Sequence, residues 1–213
     1  MEQTSKAWHL EVLSPEVADT ARRLARIEAL RNFYLAGGTA LALHLGHRRS
    51  VDLDLFTAQV FNEDQLIAAL KGFPGLSVLS KSPQTVYLHI SGTKVSFIGY
   101  DYPVLFAFEP FQGLSVADVR DIACMKLSAL AGRGSRRDFV DLYVVAQRYG
   151  LSHLLDLFQK KFAQANYSSI HLKKALTYFA DAEVEAMPDM LAPFSWDELK
   201  TFFVREVPNL RSS

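Results

Sequence analysis

The stretch Tyr34–Thr57, YLAGGTALALHLGHRRSVDLDLFT, decides the fold of this chain. A short apolar run leads into Gly37 and Gly38, which open a predicted helix. Further along, Asp52 and Asp54 stand in a β-prone run, separated by one leucine. Side chains alternate between the two faces of a strand, so both aspartates are expected to project from the same face.

The two aspartates form a candidate metal site. Adjacent carboxylates repel each other unless a proton or a cation lies between them, and hard oxygen ligands suit Mg²⁺ or Mn²⁺. The alternation also predicts that Val51, Leu53 and Leu55 point into the core, which favours a central strand. The alternative interpretation is a solvated strand face on which Asp52 and Asp54 have no metal.

The glycine pair has two interpretations as well. Gly37 and Gly38 permit a tight turn from strand to helix, and backbone N–H groups at a helix start can bind phosphates. Thr39 is accordingly a phosphate contact or the N-cap of the helix, and Ser50 either caps a turn or contacts phosphate. Together with Asp-x-Asp, the turn favours metal-assisted chemistry on a nucleotide.

A second block of polar residues lies in the C-terminal half. Lys126-Leu127-Ser128-Ala129-Leu130 is followed by Arg133 and then by Arg137-Asp138-Phe139-Val140-Asp141-Leu142-Tyr143. Asp138 and Asp141 fall on one face of a predicted helix because they are three residues apart. In the alternative interpretation Lys126 pairs with a neighbour on its own helix, and Asp141 pairs with Arg137 one turn back.

Arginines flank both blocks. If the blocks converge, these side chains form a positive rim suited to a triphosphate or to an RNA end; otherwise each is a solvated loop charge. The residues concerned are Arg48, Arg49, Arg133, Arg136 and Arg137.

Composition sets outer limits on function. Among 213 residues, 23 Lys and Arg balance 23 Asp and Glu, so extensive non-specific binding of nucleic acid is not indicated. No apolar run reaches the roughly 18 residues of a membrane span, and the N-terminus lacks a secretory signal pattern. A single cysteine, Cys124, excludes an intramolecular disulfide. We therefore expect a cytoplasmic protein without a membrane partner.

The predicted elements divide the chain near residue 112. The first part is mixed, with helices predicted at 15–32, 39–45 and 63–71 and strands at 33–36, 51–56, 76–79, 85–90 and 94–100. The second part is predicted to be almost wholly helical, at 118–131, 136–149, 152–163, 168–186 and 196–207. The expected fold class is α+β. Residues 1–112 would form an α/β core, and residues 113–213 a helical domain packed on it and contributing to the site.

The Gly-Gly and Asp-x-Asp pattern resembles the signature of the DNA polymerase β-like (minimal) nucleotidyltransferases. The string GGTALAL at 37–43, the run Arg49–Phe56 and the second block are together similar to the AbiEii/AbiGii toxin-type nucleotidyltransferases. The resemblance covers roughly residues 30 to 145. It implies a polymerase β-like nucleotidyltransferase core, a small mixed sheet with helices, followed by a C-terminal helical bundle.

The resemblance also implies an activity. Such enzymes transfer a nucleotide from an NTP to a macromolecular acceptor, with tRNA 3′ ends the acceptor class among relatives, and can act as toxins beside a cognate antitoxin. The implied catalytic residues are Asp52, Asp54, Lys126, Asp138 and Asp141, with Mg²⁺ or Mn²⁺ on Asp52 and Asp54. In this scheme Lys126 holds the triphosphate, and one of the two later aspartates is the general base. The implied nucleotide-binding residues are Gly37, Gly38, Thr39, Arg49, Ser50 and Arg137.

One position departs from the superfamily pattern. Many polymerase β-like enzymes carry a third carboxylate on a later strand, where this chain has Ser96. Either a single metal is held by Asp52 and Asp54, or another acid completes the site. Two further functions stay open: a nucleotidyltransferase acting on a small molecule, such as an aminoglycoside-type antibiotic, or on a protein hydroxyl; and an inactive module that binds a nucleotide or a partner.

Overall fold

The computed structural model of the chain describes residues 7–132, 134–165 and 167–210. Within them, seven strands form one mixed sheet in the order β3-β4-β5-β2-β1-β7-β6. The strands are β1 (Tyr34–Ala36), β2 (Asp52–Thr57), β3 (Ser77–Ser82), β4 (Thr85–Ile90), β5 (Thr93–Gly99), β6 (Glu109–Phe111) and β7 (Leu114–Val116). The α-helices are α1 (Pro15–Leu24), α2 (Gly37–Leu45), α3 (Glu63–Ala69), α4 (Val119–Gly132), α5 (Arg136–Tyr149), α6 (Leu151–Lys161), α7 (Ser169–Leu176), α8 (Ala180–Glu183) and α9 (Trp196–Glu206).

Several helix boundaries follow from local capping. Ser14 accepts a hydrogen bond from the Val17 N–H at the start of α1, and Asn62 accepts one from the Gln65 N–H at the start of α3. The predicted bounds of α5 are confirmed. Helix α1, however, ends at Leu24 rather than near residue 32, because the chain becomes extended at 27 before a short 3₁₀ turn.

The single helix predicted over 168–186 is two helices in the structure. Helix α7 ends at Leu176, and α8 begins at Ala180. The Thr177 hydroxyl lies within hydrogen-bonding distance of the carbonyls of Lys173 and Lys174 at the break. Such side-chain bonds to the backbone compete with the continuation of a helix.

A hairpin that the sequence analysis did not predict, β6–β7, extends the sheet. Its turn holds Gln112 and Gly113, both with positive φ (48° and 91°), and β7 pairs in parallel with β1. The proposed boundary at residue 112 therefore falls inside this hairpin, and the first residues of the second half belong to the sheet. Strands of three residues, one with a central proline, carry little periodic signal.

One face of the sheet is apolar and covered by helices. Leu53 and Leu55 of β2 point into this layer, as predicted. Helix α1 lies against it, where the Thr20 and Thr93 hydroxyls are 3.5 Å apart. Val51 does not join the layer: it is 60% exposed because it precedes the first residue of β2. The prediction for Val51 was wrong.

The opposite face carries the two aspartates and is only partly covered. At the β1–β2 end, Tyr34 stacks on Phe56 and on Phe108, and Phe56 contacts Tyr100. Near this end, Tyr102 of the loop after β5 contacts Phe162, which follows α6. The strands β3 to β5 extend beyond it. Among the described residues, no helix is both long and apolar enough to cross a membrane.

A buried ion pair fixes the connection between the sheet and the helices. Asp121 of α4 accepts hydrogen bonds from the backbone N–H groups of Leu105 and Phe106. Lys161 of α6 donates to Asp121 at 2.8 Å and to the Pro103 carbonyl at 2.7 Å. Both charged side chains are buried, so the pair holds α4, α6 and the loop that follows β5 in one arrangement.

Replacing Lys161 with methionine should lower the free energy of unfolding by about 3 kcal/mol, because it leaves the Asp121 charge buried without a cation. Urea denaturation at pH 7 measures the change. Lys160→Met is the matched control, since Lys160 is exposed on the same helix, and should stay within about 0.5 kcal/mol of wild type. Equal stability of the two variants would contradict the assignment.

Candidate active site

The glycine turn lies against one of the two aspartates. Strand β1 pairs with β2 so that Ala36 is opposite Asp54, and the chain then enters α2 at Gly37, whose φ is +67°. A Cβ atom added at Gly37 would lie 2.6 Å from Asp54 Oδ2. Both the backbone conformation and the close approach therefore require glycine. No side chain of the N-cap residue, Ala36, caps the start of α2.

Thr39 and Ser50 fasten α2 to the start of β2. The Thr39 hydroxyl lies 2.8 Å from Ser50 Oγ and also contacts the carbonyl oxygen of Asp52. Thr39 is not the N-cap of α2, since Ala36 occupies that position. Both side chains are buried. A phosphate contact by Thr39 or Ser50 stays a prediction.

The carboxylates of Asp52 and Asp54 remain partly accessible. The Ser96 hydroxyl donates to Asp54 Oδ1 at 2.6 Å, and the parallel register of β2 and β5 sets Ser96 directly beside Asp54. The side chain of Asp52 is 34% exposed, and Arg137 Nη1 lies 3.9 Å from its Oδ2. The Ser96 hydroxyl therefore lies beside Asp54, at the position where the resemblance to polymerase β-like enzymes places a third carboxylate.

The donor set fits a divalent cation whose other ligands come from the substrate. Asp52 and Asp54 project from one face of β2 beside an open glycine turn. Mg²⁺ typically binds one or two carboxylates together with substrate phosphates and water. Over the described ranges no group of three or more His, Cys, Asp or Glu residues has a metal-binding arrangement. Asp52 and Asp54 could hold such an ion, and their role as metal ligands stays a prediction.

Asp141 is the centre of a buried charge cluster. Its carboxylate accepts two hydrogen bonds from Arg48, at 2.7 and 2.9 Å, and lies 2.7 Å from Lys126 Nζ and 2.8 Å from His47 Nε2. Burial alone would raise the pKa of Asp141, but Lys126, Arg48 and His47 hold this pKa well below its ordinary value.

Lys126 bridges both aspartates of α5. Its Nζ atom lies 2.7 Å from Asp138 Oδ1 as well as from Asp141 Oδ2. Burial alone would lower the pKa of Lys126, but Asp141 and Asp138 raise it above its ordinary value. Ser135 donates to the other oxygen of Asp138 at 2.7 Å. Lys126 therefore pairs across to α5 rather than along its own helix, and Asp141 pairs with Arg48 rather than Arg137.

Arg48 joins the two sequence blocks. It precedes β2 in the first block and binds Asp141 in the second. A Cβ atom added at Gly38 would lie 2.4 Å from Arg48 Nη2, so the absence of a side chain there makes room for the guanidinium. Arg137 makes the reverse connection from α5 to Asp52. The structure thus brings the two sequence blocks together, which the sequence analysis left as a condition.

The other arginines point elsewhere. Arg49 donates its N–H to the Asp189 carbonyl at 2.8 Å, and its side chain lies 3.4 Å from the Asp189 carboxylate. Arg136 binds the carbonyls of Ala182 and Glu183 and covers the Trp196 ring. Arg49 therefore binds the segment between α8 and α9, and Arg136 binds α8 and the first residue of α9. Arg133 lies outside the described residues. The nucleotide-binding role of Arg49 stays a prediction.

Two residues of the cluster were missed from the sequence. Nothing local to His47 indicates a partner 94 residues away. Ser135 could have been found, because Ser-Arg-Arg-Asp at 135–138 has the spacing of a capping box. Ser135 does cap α5, and it accepts the Asp138 N–H at 3.2 Å.

A carboxylate pair beside a glycine turn, on a mixed sheet backed by helices, is typical of nucleotidyltransferases. The sequence matches the family described as nucleotidyl transferase AbiEii toxin, type IV toxin–antitoxin system, over residues 21–87 and 72–210. This chain belongs to that family. The predicted family and the α+β fold class are confirmed.

The chain is also similar to a relative in sequence and to solved structures in fold. The uncharacterized protein aq_aa25 of Aquifex aeolicus (strain VF5) is 36% identical over 201 residues, which are 92% of this chain and 96% of that protein. A putative nucleotidyltransferase from H. pylori aligns with a TM-score of 0.53 at 19% identity, over 92% of this chain and 95% of that one. MenT4, a nucleotidyltransferase toxin from Mycobacterium tuberculosis H37Rv, aligns with a TM-score of 0.52 at 17% identity, over 93% and 87%. The two structures share the fold.

The depressed pKa of Asp141 predicts a pH-dependent contribution to stability. Since the folded-state pKa lies below the unfolded value of about 3.9, the contribution is complete above about pH 5 and is lost as the pH falls, by up to about 1.4 kcal/mol per unit. Asp141→Asn should lower the free energy of unfolding by about 3 kcal/mol at pH 7. The difference in unfolding free energy between wild type and variant should narrow below about pH 4. Urea denaturation of both proteins from pH 7 to pH 3 tests this. A gap that stays constant from pH 5 to pH 3 would contradict it.

Proposed function

We propose that this protein is a Mg²⁺-dependent nucleotidyltransferase that moves a nucleotide from an NTP to a macromolecular acceptor, with tRNA 3′ ends as the acceptor class. One observation carries the proposal: a Cβ atom added at Gly37 would lie 2.6 Å from Asp54 Oδ2. The carboxylate of Asp54 therefore lies directly against the turn that opens α2. Carboxylates so close to a helix-opening turn bring a cation and the phosphates of an NTP to one point. Membership in the AbiEii family supports the reaction class.

The chemistry is a substitution at the α-phosphorus. An acceptor hydroxyl oxygen attacks the α-phosphorus, the bond to the oxygen bridging the β-phosphate breaks, and pyrophosphate leaves with the electron pair. The hydroxyl proton passes to water beside the partly exposed carboxylates. Asp52 and Asp54 would hold Mg²⁺, which when bound would lower the pKa of the attacking hydroxyl and neutralise charge on the triphosphate.

Two sets of donors for the triphosphate lie near this point. The N–H groups of Gly37 and Gly38 open α2, whose N-terminus carries a partial positive charge. Arg137 is 59% exposed and already lies 3.9 Å from Asp52, so it can turn toward a phosphate. Arg48 lies beside Gly38, but its guanidinium is already paired with Asp141. The role of Lys126 as a triphosphate contact stays a prediction.

The two later aspartates take different roles from the metal-binding pair. Asp141 is fully buried and bound by three cationic or ring N–H groups, and its low pKa makes it a weak base. We assign Asp141 as a positioning residue for Arg48 and Lys126. Asp138 shares Lys126 with Asp141 and is oriented by Ser135.

The family description supports a proposal for the biological setting. A type IV toxin–antitoxin family favours a toxin that acts in the cytoplasm on an RNA acceptor, beside a cognate antitoxin.

One observation favours a second candidate: Ser96 replaces a third carboxylate, as expected of a module that binds nucleotide without turnover.

Incubating the pure protein with each α-³²P-labelled NTP, Mg²⁺ and total bacterial tRNA tests the function. Label should reach RNA from the wild type and be lost, by at least about a hundredfold, in Asp52→Asn, which removes one anionic metal ligand. The variant should keep its thermal midpoint within about 3 °C, because Asp52 is partly exposed.

Addition of EDTA should abolish labelling by the wild type as well. Label that persists in Asp52→Asn would overturn the assignment of the metal site. Nucleotide binding without labelling of RNA, of protein or of an aminoglycoside would favour the inactive module.

A further inference from the structure

The uncovered part of the sheet continues directly from the carboxylate pair. Paired residues in register share a face, and the register runs from Asp54 to Ser96 on β5 and on to Tyr87 on β4. A second row runs from Asp52 to Lys94 and on to His89. The face that carries Asp52 and Asp54 therefore also carries Ser96, Tyr87, Lys94 and His89.

The chemistry of this face differs from that of the covered one. Lys94 and His89 are exposed, Tyr87 is half-buried, and Lys94 Nζ lies 5.8 Å from the centre of the Tyr87 ring. At the paired positions of this face, strands β3 to β5 carry no acidic residue and one aliphatic residue, while Leu79 lies unpaired at the bulge of β3. The nine paired positions are Ser77, Ser80, Ser82, Thr85, Tyr87, His89, Lys94, Ser96 and Ile98.

We propose that Tyr87, His89 and Lys94 form an acceptor platform that binds the single-stranded end of a nucleic-acid acceptor. The Tyr87 ring stacks on an unpaired base, and Lys94 and His89 contact the backbone phosphates. An aromatic ring combined with cations on an open surface is the usual means of binding single strands. The low apolar content is unlike the core of a protein-docking surface.

The order of the strands supports the direction of approach. The glycine turn follows β1, on one side of β2, and the platform lies on β5 and β4, on the other side. In an in-line substitution, the attacking hydroxyl and the leaving pyrophosphate lie on opposite sides of the α-phosphorus. When the triphosphate is bound at the glycine turn, the acceptor hydroxyl therefore approaches from the side of the platform.

The distance is also suitable. Neighbouring strands are about 4.8 Å apart, so Tyr87 lies about 10 Å from Asp54 across the face. A nucleotide stacked on Tyr87 is therefore close enough for a following nucleotide to present its terminal hydroxyl between Asp52 and Asp54. This proposal rests on the proposed function for its reaction, but binding to the platform can be measured without turnover.

The first experiment measures binding of a fluorescein-labelled single-stranded RNA of about twelve nucleotides, by fluorescence anisotropy without NTP. Tyr87→Ala should raise the Kd for the RNA about tenfold. Tyr87→Phe should bind the RNA as the wild type does, because the aromatic ring is kept. Lys94→Gln should reduce the slope of log K against log salt by about 0.7. The matched control is Lys81→Gln, on the opposite face, where Lys81 pairs with Asp64; neither its Kd nor its salt slope should change.

The second experiment measures transfer to tRNA under steady-state conditions. Tyr87→Ala should raise KM for the RNA about tenfold while leaving KM for the NTP unchanged. An unchanged KM for RNA in both Tyr87→Ala and Lys94→Gln, with label still reaching RNA, overturns the platform and leaves the proposed function standing.

Other outcomes separate the two proposals. If the wild type labels no acceptor but Tyr87→Ala still weakens RNA binding and Tyr87→Phe restores it, the platform stands and the proposed transfer fails. If the wild type binds no single-stranded RNA and labels a protein or a small molecule instead, the platform is overturned.

Discussion

The buried charge of Asp141 is the constraint on which the active site depends. Desolvating a carboxylate costs several kcal/mol, and this cost is offset only when good partners are in place. Those partners come from the loop before β2, through Arg48, and from α4, through Lys126. One carboxylate on α5 therefore fixes three separate elements, because moving any of them away leaves a charge buried and unpaired.

Each of the two glycines of the turn makes room for one charged side chain. Gly38 leaves space for the guanidinium of Arg48, while Gly37 leaves space for the carboxylate of Asp54. The turn is thus held between a cation and an anion, one fixed by Asp141 and the other by β2. A side chain at Gly37 or Gly38 would displace a charged group. The glycine pair is therefore required by the close approach of Arg48 and Asp54 as well as by the backbone conformation of the turn.

Local patterns predicted the elements of the fold but not the partners of the buried charges. The bounds of α5 and β4 and the shared face of Asp52 and Asp54 follow from periodicity and capping, which operate within a few residues. The hydrogen bond between His47 and Asp141 spans 94 residues, and three-residue strands such as β7 depend on pairing with β1. Such features require the tertiary structure and leave no periodic signal in the sequence.

The serine beside the carboxylate pair bears on how many metal ions the proposed site would hold. Ser96 donates to Oδ1 of Asp54, while Oδ2 faces the glycine turn. Two carboxylates balance the charge of one divalent cation, whereas a third carboxylate at this position would add repulsion that only a second cation could offset. The hydroxyl orients Asp54 without adding charge. The donor set of this chain therefore favours a site with one protein-bound metal, in which the substrate phosphates supply the remaining ligands.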